Sequence, residues 1–167
     1  GYLIKPKWKD YFQSSPERKA LLVREKNNIL KAVGAGTVSL YESLMLAREA
    51  SRIFALPEDV AELKHVIAGY LINAYSTNQK ATGFFAFNFK AAKFSPEDAS
   101  KILGALGAVE PMYLLEYAST LDLTEVQINK AKLRAIFLGY ETRVLAHVLE
   151  KDSKLRLSAD EWKICIE

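Results

Sequence analysis

Few residues in this chain have the types and spacing that chemistry needs. Glu62 and His65 stand three positions apart, the spacing by which helical bundles present a carboxylate and an imidazole to a carboxylate-bridged di-iron site. Such a site requires a second copy of the pair and a Glu from each of two further helices. The other histidine, His147, has Val144 at the matching position, so half of the ligand set is missing and the pair reads as a solvated stripe. Cys165 is the sole cysteine, which removes internal disulfides and thiolate zinc sites together. It has no histidine near it in sequence, and no Gly-x-Ser-x-Gly turn offers a serine nucleophile. Glu42, Glu49, Glu116 and Glu141 lie on segments of helical pattern. Glu141, beside an apolar stretch with Arg143 and Lys151 for company, reads first as half of an ion pair and only second as a general acid or base. The expectation is a non-catalytic chain with no cofactor and no metal.

Three further constellations resemble binding motifs and fall short of them. Gly34-Ala35-Gly36 opens like a dinucleotide loop, but the third glycine position is Ser39 and the preceding segment is helical. A helix stop, a turn and a new cap account for it. Gly83-Phe84-Phe85-Ala86-Phe87-Asn88-Phe89 approaches the signature in which strand aromatics stack on RNA bases. It carries one residue too many, has Thr82 where a basic residue belongs, and lacks the partner strands. Residues 84–89 alternate with period two, yet they also align at helical spacing, and helix is the reading adopted. Lys130 and Arg134 share a helix face while Lys132 points elsewhere, which is not the one-faced stripe of a recognition helix.

The N-terminal stretch is the most suggestive. Lysines 5, 7 and 9 interleave with Trp8, Tyr11 and Phe12, and Pro6 argues against a helix through them. An arm of this kind docks into a partner's groove with Trp8 as anchor, lies near a membrane interface, or packs on its own domain. Lys5, Lys7, Trp8, Lys9, Tyr11 and Phe12 are the candidate partner-binding residues.

The elements that must position these groups are helices. Ser15-Pro16-Glu17 and Ser95-Pro96-Glu97 place a hydroxyl before a proline at a first helical position, where its missing N–H costs nothing. Ser39-x-x-Glu42, Asp122-x-x-Glu125 and Ser158-x-x-Glu161 have capping-box spacing. With the apolar periodicity, these predict helices near 15–33, 39–55, 57–75, 80–93, 96–107, 111–120, 124–152 and 158–166. Ala135–Tyr140 is apolar all round, so the 124–152 helix is expected at the centre. Gly69, Gly104 and Gly139, each costing about 1 kcal/mol within a helix, point to close helix approach, a kink or room for a ligand. Close approach is the first choice, and an apolar pocket beside Gly139 the sharper alternative. The fold class is therefore all-α: a bundle of seven or eight helices in a single domain over 15–167, preceded by the arm at 1–14.

Composition bounds the rest. Half of the 167 residues are apolar and about a quarter charged, as in ordinary globular domains. The +3 net charge is concentrated at one end: residues 1–34 carry eight Lys and Arg against three acids. No apolar run reaches the roughly 18–20 residues of a membrane span. A chain that opens on Gly1 is expected to be an excised fragment or to carry a tag scar. The function these features suggest is a non-catalytic protein-interaction module, cytoplasmic, within a larger assembly that in one version is attached at the inner face of a membrane. A nucleic-acid-binding regulator and a small-molecule-sensing helical domain are the alternatives.

Overall fold

The computed structural model describes residues 16–77, 79–140 and 159–160, the stretch 16–23 as backbone. The protein is all-α, with seven helices and no strand among the described residues. They are α1 (Pro16–Gly34), α2 (Leu40–Ile53), α3 (Pro57–Ser76), α4 (Gly83–Ala92), α5 (Pro96–Val109), α6 (Pro111–Glu116) and α7 (Glu125–Phe137). Residues 84–89 are helical, so their alternation reflects phenylalanine content rather than a strand.

The cap chemistry explains most boundaries. Ser39 accepts the Glu42 N–H while the Glu42 carboxylate accepts the Ser39 N–H, the reciprocal pair its spacing foretold. The Ser95 hydroxyl likewise accepts the Asp98 N–H at the start of α5. At α7 the expected cap is displaced. Thr124 and Gln127 form the reciprocal pair, and Asp122, at φ +56°, closes the preceding turn instead. The ends of α1 and α7 share one device. Gly36 (φ +67°) and Gly139 (φ +79°) take the left-handed conformation, and the residue after each donates back to Ala32 and Ala135 respectively. The helix expected to run through 124–152 therefore stops at Phe137, because Gly139 is a terminator and not an interior residue; 141–152 lies outside the described residues.

Two compact units organise the described residues: one takes in those up to Leu71 with Asn88–Ala99, the other Ile72–Phe87 with those from Ser100 onward. In the first unit Ile29, Val33, Leu44, Ile53, Leu63 and Ile67 are buried. Polar ties at its margin join distant segments. Lys26 Nζ donates to Asp59 and Glu62, each at 3.1 Å. Arg48 donates to the Asn88 side chain at 2.8 Å, and the Tyr70 hydroxyl to the Val38 carbonyl at 2.7 Å. Lys64 donates to the carbonyl of Lys93, a residue held at φ +51°.

In the second unit Phe85, Ile102, Leu106, Leu114 and Leu115 are buried. Tyr75 meets Phe85 edge-on at 5.2 Å, and Tyr113 and Tyr117 stand 4.7 Å apart. The Tyr113 hydroxyl donates to the Thr82 carbonyl and accepts the Ala86 N–H, so it stands between two groups that would pair directly in an uninterrupted helix. Burial raises the Tyr113 and Tyr75 phenols well above the ordinary tyrosine value and keeps both neutral.

Candidate functional site

The groups best placed to meet a ligand or partner belong to the second unit and centre on α7. The inward side of this helix is set by Ile128, Ala131 and Ala135, all buried. Its opposite side carries Val126, Leu133 and Phe137, which recur seven and four residues apart and so share a face. They are 64%, 45% and 77% exposed. Leu138 and Tyr140 continue the apolar surface past the helix end. Scattered exposed apolar residues are normal; an aligned run of them is not.

Lys130 lies within that face and is exposed, and Arg134 lies along its edge. The guanidinium of Arg134 is fixed on two sides. Its Nε donates to the Ala108 carbonyl at 2.9 Å, and its carbon lies 5.1 Å from the centre of the Phe137 ring. Neither Lys130 nor Arg134 has a carboxylate partner among the described residues.

Beyond these cations, α5, α6 and α7 enclose an open cleft of about 240 Å³. Leu103, Gly104, Gly107 and Leu114 line one part, and Ala131, Lys130 and Arg134 another. A Cβ at Gly104 would meet nothing within 4 Å, whereas one at Gly107 would come within 2.7 Å of Leu114 Cδ1. Among the described residues the close approach expected at Gly69, Gly104 and Gly139 is absent, since a Cβ at each would meet nothing within 4 Å; it occurs at Gly107. The alternative of a pocket beside Gly139 moves with it: the cleft lies at Gly104 and Gly107, and Gly139 does not line it.

The residues that sequence reasoning singled out are dispersed. Lys5, Lys7, Trp8, Lys9, Tyr11 and Phe12 lie outside the described residues, as do Glu141, Arg143, His147, Lys151 and Cys165. Glu62 is engaged by Lys26, and His65 Nδ1 lies 3.0 Å from Asp98 Oδ2, so each has its own partner. Among the described residues no group of three or more His, Cys, Asp or Glu side chains could hold a metal. Glu42 serves its cap, Glu49 lies between Arg48 and Arg52, and Glu116 is exposed. Gly34-Ala35-Gly36 is a helix terminus, with the ring of Tyr70 3.6 Å from where a Gly36 Cβ would be. Phe85 and Phe89 are buried core, while Phe87 faces out against the Tyr117 ring. Lys132 is buried rather than solvated. The shared face of Lys130 and Arg134 was visible in their spacing. The cleft was not, because its far wall comes from α5 and α6.

Comparison with known proteins finds no matching family model, no matching curated protein and no matching solved structure. No described helix is long and apolar enough to cross a membrane.

Proposed function

We propose that this chain is a non-catalytic protein-interaction module of a larger cytoplasmic assembly, and that the exposed face of α7 is its docking surface. The observation that carries the reading is the alignment of Val126, Leu133 and Phe137, each exposed on one side of a helix whose other side is buried. Large aromatic and aliphatic side chains arranged this way lose water on association and supply the anchors of helix-in-groove or helix-on-helix contacts. Charge selects the partner. Lys130 and Arg134 stand in and beside the stripe without a carboxylate, so the complementary surface is an amphipathic helix with acidic residues flanking its apolar side. The lysine- and aromatic-rich arm around Trp8 is proposed as a second contact to the same partner.

The test is affinity capture of the full-length protein from its native cells, with and without nuclease, read by mass spectrometry. A triple variant, Val126→Ser, Leu133→Ser and Phe137→Ser, runs in parallel. A partner that survives nuclease, is lost by the variant and shows an acidic amphipathic helix supports the reading, provided the variant melts as the parent does. Retention of the partner by the variant overturns the α7 surface. Loss of every partner on nuclease treatment replaces the reading with nucleic-acid binding, which then weakens steeply as salt rises. Alanine at Trp8, Tyr11 and Phe12 is expected to weaken capture without unfolding the domain.

A further inference from the structure

The cleft enclosed by α5, α6 and α7 has a composition that the docking stripe does not explain. Its lining is mainly apolar, with Leu103, Leu114 and Ala131 all buried. Its rim is cationic, with Lys130 and Arg134 on consecutive turns of one helix. Gln127 joins them; its side-chain oxygen is committed to the Thr124 N–H, which leaves its amide N–H donors for another acceptor. Gly104 contributes empty space where any other residue would project a side chain.

We infer that this cleft binds a small amphiphilic acid, its carboxylate held by Arg134 and Lys130 and its apolar tail laid against Leu103, Leu114 and Ala131. Three observations converge on that class. The Nε–H donated to Ala108 and the Phe137 ring beside it hold the guanidinium in place before any ligand arrives, and the Nη donors remain for a planar anion. Two cations close together without a carboxylate repel one another, and an arriving carboxylate relieves that repulsion. The apolar floor adds a gain that inorganic anions cannot collect. At about 240 Å³ the space is smaller than the roughly 300–1,000 Å³ of sites for drug-sized ligands, which restricts the ligand to a single short chain or ring. The cleft shares Lys130, Arg134 and the Phe137 ring with the docking surface, but its apolar part is separate, because Val126, Leu133 and Phe137 do not line it.

The test is a titration of the full chain with octanoate, 1-octanol and inorganic phosphate, followed by calorimetry and by amide chemical shifts. Saturable octanoate binding, at least about tenfold tighter than 1-octanol, with shifts at residues of α5 and α7, is the expected result. Lys130→Gln with Arg134→Gln should remove the preference for the acid. Gly104→Leu should fill the cleft and abolish binding of both chains; a Cβ meets nothing within 4 Å there, and a thermal melt checks that the variant keeps its fold. Octanoate binding no tighter than 1-octanol, or equal to that of phosphate, overturns the proposal, as does unchanged binding in a folded Gly104→Leu variant or no saturable binding at all.

Discussion

Alanine at Gly104 and at Gly107 makes one paired experiment whose two halves should differ. Both glycines lie within α5, and neither has a positive φ that would strain alanine. Replacing an interior helical glycine by alanine gains about 0.8–1 kcal/mol, because the glycine loses more backbone freedom on folding. At Gly104 nothing lies within 4 Å of the new Cβ, so the whole gain should be realised. For a chain of this length about 1 kcal/mol raises the melting temperature by roughly 2–4 °C. At Gly107 the new methyl would stand 2.7 Å from Leu114 Cδ1, and Leu114 is buried. Leu114 Cδ1 is the end of a flexible side chain that borders the cleft, so its shift falls at the low end of the roughly 1–3 kcal/mol typical of overpacking and cancels the gain. Gly107→Ala should therefore fall at least about 1 kcal/mol below Gly104→Ala in stability. Urea titrations of the two variants, with slopes unchanged from the parent, measure the difference. Equal stabilisation by both would refute the packing of Leu114 against α5. A loss of stability at Gly104 would refute the open cleft wall.

Gly139→Ala is expected to destabilise by about 1–2 kcal/mol, the cost of a left-handed non-glycine residue, seen as a lower urea midpoint. Tyr113→Phe deletes the hydroxyl between Thr82 and Ala86 and should cost about 1–3 kcal/mol, measured in the same way. Lys26 has a pKa raised above 10.5 by its hydrogen bonds to Glu62 and Asp59. Its contribution, at most about 1 kcal/mol, is thus fully present below that value and lost as pH rises through the raised pKa. Lys26→Met should be the less stable protein at neutral pH, and its curve should meet the parent's in strongly alkaline solution. A gap that persists there would mean the lysine stem, not its charge, does the stabilising.

Most helix starts were legible because they are written locally. Ser39 with Glu42 and Ser95 with Pro96 each act within one turn, and each marks its helix as the spacing implied. Helix ends were less so. Gly139 in an apolar run reads like a tolerated interior glycine; only its backbone angle makes it a stop. The same run was expected to be buried throughout, yet Ala135 is buried and Phe137 is not, since composition is blind to which neighbours arrive. Asp122 lost its expected cap to Thr124, two residues on, because the preceding turn claimed it. The cleft depended on contacts between helices distant in sequence. Nothing in the spacing of Gly104 could distinguish an open wall from a tight one.

The hydroxyl of Tyr113 has a kinetic consequence. It relays the hydrogen bond between Thr82 and Ala86, so the opening turn of α4, which has its own Phe85 N–H to Thr82 carbonyl bond, is reinforced by a residue 27 positions further along the chain. Helices capped by their own sequence, such as α2, can nucleate before anything else has formed. The start of α4 gains its full set of hydrogen bonds only once α6 is in place. In refolding experiments, substitutions around Ala86 should leave the folding rate nearly unchanged and accelerate unfolding instead, the mark of a turn assembled after the rate-limiting step.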